Sequence, residues 1–153
     1  NELKGAASSA VEVGGMDDIM IRYAKCCNPL PGDEIVGFIT RGQGVTIHTA
    51  DCPFVKEADP QRRIDVTWSK GKNAALPVKL RVFCLDEKGV LAQMTQAITD
   101  AEANIISALI TSTVDKRGEN IFELNVVDLK HLQRVTNALM RLSGVLRVER
   151  IKG

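Results

Sequence analysis

From residue 78 onward the apolar residues change period several times, and that rhythm restricts the possible folds more than any other feature of the chain. Val78, Leu80, Val82 and Cys84 alternate with Lys79, Arg81 and Phe83, the period of a strand with one covered face. Val90, Leu91, Met94, Ala97, Ile98 and Ala101 then recur at helical spacing, with Gly89 at the entry and Ala103-Asn104 at the exit. Two strands follow, Ile105 to Val114 and Asn120 to Val127, joined by the turn Asp115-Lys116-Arg117-Gly118. Leu132, Val135, Leu139 and Leu142 form the apolar stripe of a second helix, Ser143-Gly144 ends it, and Val145 to Ile151 reads as a last strand. The order βαββαβ predicts a four-stranded antiparallel sheet covered on one face by two helices, the ferredoxin-like arrangement. Lys79, Arg81, Phe83, Glu123, Asn125, Arg147 and Glu149 fall on the uncovered face.

Before that rhythm begins, Ser69 to Pro77 breaks the periodicity with linker-type residues. A boundary is placed there. The expected class is α+β, with a disordered linker or boundary segment at 1–12, a small mixed α/β cysteine-rich module at 13–70, a linker at 71–76 and the βαββαβ domain at 77–153. In the first module the strand candidates are Ile19 to Tyr23, Ile35 to Ile39, Val45 to His48 and Ile64 to Trp68, with Arg41-Gly42-Gln43-Gly44 closing a hairpin. A short helix is expected near Pro53, since proline is tolerated at a first helical position. The small polar residues that begin the chain suggest a piece of a longer parent.

Several function classes lose support at this stage. No apolar run approaches the roughly 20 residues that span a bilayer, and the N-terminus lacks a signal-peptide pattern, so a cytoplasmic protein without membrane contact is expected. With 20 Lys and Arg against 19 Asp and Glu, well interspersed, a binder driven by bulk positive charge is not indicated. Any RNA contact must be local.

The strongest chemical signal is Cys26-Cys27-Asn28-Pro29-Leu30-Pro31-Gly32-Asp33, followed by Gly42-Gln43-Gly44, His48 and Cys52. A structural zinc site takes four soft or borderline ligands from two turns, and Cys26, Cys27, His48 and Cys52 would supply Cys3His. Adjacent strand residues point to opposite faces, so Cys26 and Cys27 can share a metal only where the chain bends. Asn28-Pro29 and Pro31-Gly32 offer that bend. Packed structural thiols and an oxidisable thiolate near Arg22 and Lys25 stand as the alternatives. Cys84 lies on an inward strand face as a small buried hydrophobe, and His131, alone in the first turn of a helix, reads as a solvated surface residue.

A second signal is Asp86-Glu87-Lys88-Gly89-Val90-Leu91, where a strand passes through a glycine-bearing loop into a helix whose free N–H groups suit a carboxylate. The plain reading is a turn with Asp86 as cap and Leu91 in the core. Asn104 is a helix-exit residue by default and a polar contact if a pocket exists. No P-loop, no G-x-S-x-G and no nucleophile beside a base are present, so catalysis is not expected of this segment.

Tyr23 to Asp33, Gly42-Gln43-Gly44-Val45, His48 and Asp51-Cys52-Pro53 closely resemble the RelA/SpoT family. The match is to the zinc-finger-type module that precedes the C-terminal ACT domain, also called RRM-like, of long bifunctional (p)ppGpp synthetase/hydrolases (GTP pyrophosphokinases). The resemblance covers about Val13 to Ile151. It implies a parent that makes (p)ppGpp from ATP and GTP or GDP, and hydrolyses it, through N-terminal catalytic domains that this chain would regulate in the stringent response. Ribosome and ribosomal RNA are the implied partners, with Arg22, Lys25, Arg41, Lys56, Arg62 and Arg63 as candidate RNA contacts. ACT domains often pair side by side as homodimers and bind small molecules, commonly amino acids, at the strand-to-helix loop. Asp86, Gly89, Val90, Leu91, Asn104 and Ile105 match those pocket positions, a branched-chain amino acid being the expected ligand. Glu87 stands where many relatives carry a basic residue, which leaves carboxylate recognition to backbone N–H groups. The other readings are a freestanding amino-acid-binding ACT regulator with a structural metal site, and a zinc- or thiol-dependent enzyme.

Overall fold

A computed structural model describes residues 11–14, 19–42, 44–69 and 74–152. The chain forms two compact units divided between Ala74 and Ala75, the second running to Ile151. No helix among the described residues is long and apolar enough to cross a membrane.

The first unit contains β1 (Val11–Val13), β2 (Met20–Tyr23), β3 (Ile35–Ile39), β4 (Gly44–Thr49), the short helix α1 (Pro53–Glu57), a 3-10 turn (Pro60–Arg62), β5 (Arg63–Ile64) and β6 (Val66–Trp68). Its main sheet is ordered β2-β4-β3-β5, with β2 parallel to β4 and the other pairs antiparallel. The stretch Ile64 to Trp68, expected as one strand, divides at Asp65: β5 pairs with β3, and β6 pairs with β1 in a separate ribbon. That ribbon corrects the expected linker at 1–12, because Val11 and Glu12 pair with Trp68 and Thr67, and Val11 is buried. Residues 1–10 lie outside the described residues, as do 71–73 of the expected linker and Gln43 of the hairpin. Leu76, also assigned to the linker, opens the next strand.

Val11, Val13, Ile21, Val45, Ile47 and Val66 form the core of this unit. Tyr23 and Trp68 close it with rings stacked 6.1 Å apart, and the Trp68 indole N–H donates to the Asp33 carbonyl at 2.9 Å. A Cβ on Gly37 would stand 2.8 Å from methyls of both Val45 and Val66, so only glycine lets these strands pack as closely as they do.

The second unit runs β7 (Leu76–Leu85), α2 (Val90–Asp100), β8 (Asn104–Ser112), β9 (Arg117–Val126), α3 (Leu129–Met140) and β10 (Val145–Arg150). Its sheet is ordered β10-β7-β9-β8 and is antiparallel throughout, the arrangement expected from the periodicity. Val78, Leu80, Val82, Cys84, Phe122, Leu124 and Val126 are buried, together with Val90, Met94 and Ile98 of α2 and Leu132, Val135 and Leu139 of α3. Leu91, expected in the core, is 43% exposed. On the other face Arg81 pairs with Glu119 at 3.1 Å and with Glu149 at 3.7 Å, while the Arg147 guanidinium lies 4.3 Å from the Phe83 ring centroid. β8 is an edge strand, and the register slips between Ile105 and Ser107. Ile106, Leu109 and Ile110 on it stay exposed.

His131 is not the solvated residue expected; it is buried at 6% exposure. The Val127 N–H donates to its Nδ1 at 3.0 Å, so the proton resides on Nε2, which donates to the Ala101 carbonyl at 2.8 Å. One ring thus satisfies a β9 exit N–H and an α2 C-cap carbonyl, while the Asp128 carboxylate accepts from the His131 backbone at 2.7 Å as the α3 N-cap. Replacing His131 by Leu strands two backbone groups and should cost roughly 2–4 kcal/mol. In urea denaturation the circular-dichroism transition should shift to lower denaturant, while fluorescence of Trp68, the single tryptophan, placed in the first unit, should keep its midpoint.

Candidate metal centre

β2 ends at Tyr23, and the chain then closes a tight turn in which the Asn28 N–H donates to the Ala24 carbonyl at 2.9 Å. Asn28 takes a left-handed φ of 46°, a conformation asparagine tolerates better than most residues. Cys26 and Cys27 therefore sit on one turn rather than on opposite faces of a strand, which removes the geometric objection to their sharing a metal. The Asp33 carboxylate accepts from Leu30 N–H at 2.8 Å and fixes the exit of this loop. β4 carries His48, and the chain turns back from Thr49 to Cys52, whose N–H donates to the Thr49 carbonyl at 3.1 Å. Cys52 is the N-cap of α1, with Pro53 behind it in the first helical position.

These elements converge. The ligand atoms of Cys26, Cys27, His48 and Cys52 lie within 4.8 Å of one another. Cys26 Sγ is 3.9 Å from Cys27 Sγ, 3.5 Å from Cys52 Sγ and 3.4 Å from His48 Nδ1, and Cys27 Sγ is 3.7 Å from the same nitrogen. Zinc bonds of about 2.3 Å to sulfur and about 2.0–2.1 Å to nitrogen give tetrahedron edges of about 3.8 Å between sulfurs and about 3.6 Å from sulfur to nitrogen. The separations straddle those edges, so the donor set fits a metal ion of that size in number, chemistry and spacing. Four protein ligands would leave no position open for water, the signature of a structural rather than a catalytic site.

The surroundings favour the same use. Cys27, Cys52 and His48 are buried and Cys26 is exposed. The Thr49 N–H donates to Cys27 Sγ at 3.3 Å, a bond that steadies a thiolate. The His48 ring lies stacked on Phe54 at 4.6 Å and meets Phe38 edge-on at 5.8 Å, an aromatic clamp that aims Nδ1 at the thiols. The clustered thiols oppose one another's ionisation. Desolvation, the hydrogen bond with Cys52 and the charge of Cys27 push the Cys26 thiol up to about 12. Cys27 is likewise raised, chiefly by desolvation, and desolvation holds the His48 imidazole below its usual range, as an unprotonated donor. The Thr49 N–H and the two phenylalanines escaped the sequence reading; Phe54, next to Cys52-Pro53, was the visible signal.

The other expected residues are less concentrated. Cys84 is buried, with the Asn120 amide donating to its Sγ at 3.1 Å, and has no part in the cluster. Gly89 takes φ 89° as the N-cap of α2, whose cap carries no side-chain hydrogen bond, so the expected Asp86 cap is not formed. Asp86 instead donates its N–H to the Lys116 carbonyl at 2.8 Å. Along β9, Arg117 pairs with Leu85 and Asn125 pairs with Asn104. Eight residues of strand, about 27 Å, therefore separate the Asp86–Leu91 loop from Asn104 and Ile105. Within one chain the six positions do not form one pocket. Of the basic residues, Arg41 and Arg62 line one hollow and Arg22 an adjoining one. Lys25, Lys56 and Arg63 are exposed but line neither of these hollows.

Residues 11–69 match the family described as the RelA/SpoT RIS domain, and residues 72–150 match the ACT domain family. A GTP pyrophosphokinase of Myxococcus xanthus is 46% identical over 143 residues, 94% of this chain and 19% of that protein. One of Streptomyces coelicolor is 35% identical over 147 residues, covering 95% of this chain and 17% of its own length. The bifunctional (p)ppGpp synthase/hydrolase RelA of Mycobacterium tuberculosis is 36% identical over 143 residues, 92% of this chain and 19% of its own. The chain spans less than a fifth of the length of each of these relatives.

A raised thiol is mostly protonated at neutral pH, and only the thiolate attacks an alkylating agent. In chelator-treated protein Cys26, though exposed, should react with iodoacetamide more slowly at pH 7 than a free cysteine peptide. Its rate should climb as pH is raised toward about 12, read by mass spectrometry of the Cys26 peptide.

Proposed function

Since the chain belongs to the RelA/SpoT family, joining its RIS domain to an ACT domain, we propose that it is the regulatory, non-catalytic portion of a longer cytoplasmic (p)ppGpp synthetase/hydrolase. In that reading the catalytic domains occupy the rest of the parent, and this portion couples their activity to the ribosome and to amino-acid supply. The observation that carries it is the Cys3His cluster inside the RIS-matching residues. Zinc would be held by Cys26, Cys27, His48 and Cys52, and a closed sphere of this kind supplies rigidity rather than reactivity. It would tie the Ala24–Asn28 turn, β4 and α1 into one docking element whose core is otherwise small. Among the described residues the apolar cluster at Cys27 is small: Ala24, Cys27 and Cys52, with Val55 packed against them.

Protein purified without chelators should carry one zinc per chain by elemental analysis, and Cys26→Ser, Cys27→Ser and Cys52→Ser should each lose it. Stably folded, metal-free protein would sink the assignment. Binding displaces protons from thiols that the cluster keeps protonated, so zinc affinity should rise with pH and metal should leave on acidification.

The separation of the ACT positions favours a dimer as the amino-acid-binding form. A second copy paired antiparallel along β8 would bring its Asn104 beside Ser112 of the first, at the end of the sheet where the Asp86–Leu91 loop emerges. The exposed Ile106, Leu109 and Ile110 of β8 would be covered by such pairing, and an unpaired edge strand of this composition invites it. Sedimentation should show a dimer that valine, leucine or isoleucine tightens, and Leu109→Lys should leave a folded monomer with amino-acid binding lost. A monomer insensitive to these amino acids counts against this form.

A further inference from the structure

Thr49 closes β4 directly after His48 and is 1% exposed, yet its side-chain Oγ1 is buried without a hydrogen bond. An unbonded hydroxyl in such a place is costly, and valine would fill the same space without the cost. The orphan points to an acceptor that becomes strong only when the cluster is loaded. A protonated thiol accepts weakly, whereas a thiolate accepts strongly. We propose that the Thr49 hydroxyl is a second hydrogen-bond donor to the Cys27 thiolate, and that it sets how tightly Cys26, Cys27, His48 and Cys52 hold their metal. This rests on the metal-site reading above and adds to it a positioning residue outside the four ligands.

Thr49 is placed for that role by its backbone. Its N–H already donates to Cys27 Sγ at 3.3 Å, and its carbonyl accepts from the Cys52 N–H at 3.1 Å. It thus touches two of the four ligands and adjoins a third. The hydroxyl is close enough to be felt at the sulfur: burial raises the Cys27 thiol, while the Thr49 N–H and side chain both act to lower it. Three thiolates around one divalent ion leave a net negative charge, and its buried share is stabilised only by donors that the protein supplies. At exposed Cys26 water can supply them. Cys27 is 0% exposed, and Thr49 has the N–H and the hydroxyl at hand. The rival acceptor is the Asp51 carboxylate, but that side chain is 67% exposed and served by water.

The test measures zinc affinity of the whole chain by competition with a chromophoric chelator, for the unsubstituted protein and for Thr49→Val, Thr49→Ser and Asp51→Asn. Thr49→Val keeps the shape and loses the hydroxyl, and should bind zinc roughly 10–100-fold more weakly. Thr49→Ser should recover the affinity. Cobalt(II) in place of zinc gives a second readout that packing alone does not move. A hydrogen bond lowers the energy of the sulfur lone pair, so its loss in Thr49→Val should shift the sulfur-to-cobalt charge-transfer band to longer wavelength. Emission of Trp68 in the loaded variants reports whether the first unit keeps its fold. If Thr49→Val misfolds, the serine variant decides: affinity kept with serine carries the proposal, and affinity lost with serine overturns it. Thr49→Val that binds zinc as tightly as the unsubstituted chain, its cobalt band unmoved, would overturn the proposal and leave the metal site standing. Asp51→Asn as damaging as Thr49→Val would give the hydroxyl to the carboxylate and likewise overturn it. An unsubstituted chain that binds no zinc would overturn the metal reading and this inference with it.

Discussion

Bringing three thiols and an imidazole to within 4.8 Å of one another is the constraint on which the first unit depends. Such crowding is unfavourable without a cation, as the upward push on Cys26 and Cys27 records, and it is held by local devices that share no other evident purpose. Asn28 accepts a left-handed backbone, Thr49 turns its N–H to a sulfur, and two phenylalanines grip the imidazole. Each is a small local restriction, and all would suit the one tetrahedral ion proposed for the cluster. Small domains commonly supplement a modest apolar core with such a staple.

The second unit rests on a different principle. A continuous apolar sheet face and two helical stripes close over one another, and the buried imidazole of His131 couples two backbone groups by hydrogen bonds. What that unit leaves unfinished is at its edge. β8 exposes backbone and apolar side chains, and the positions associated with small-molecule binding are divided between the two ends of the sheet. The Cys3His cluster of one unit and the open edge of the other are the features that the proposed regulatory role would use.

His48 connects two features of the first unit. The same ring that offers Nδ1 to the cysteines forms, with Phe54, a wall of the hollow that Arg41 and Arg62 line, so metal binding and the shape of that surface are linked through one side chain. Coordination would fix the imidazole, and the stacked ring would inherit its orientation.

The sequence by itself determined the second unit almost completely. Its strands and helices are set by alternation and by helical spacing, which are local properties, and a βαββαβ order leaves few ways to bury the resulting faces. Cys26, Cys27, His48 and Cys52 were also legible, because thiols and an imidazole clustered in a chain without disulfides point to metal. Only the tertiary structure decided the rest. Whether Cys26 and Cys27 face one point depends on the Asn28 conformation, and the split of Ile64 to Trp68 depends on which strand edges are open to β5 and β6. His131 looks solvated from its neighbours along the helix, yet it is buried because Ala101, thirty residues away, presents an orphan carbonyl. Periodicity reports which side of an element is apolar; it carries no information about which distant group will meet a given polar atom, and that meeting is where this protein's chemistry lies.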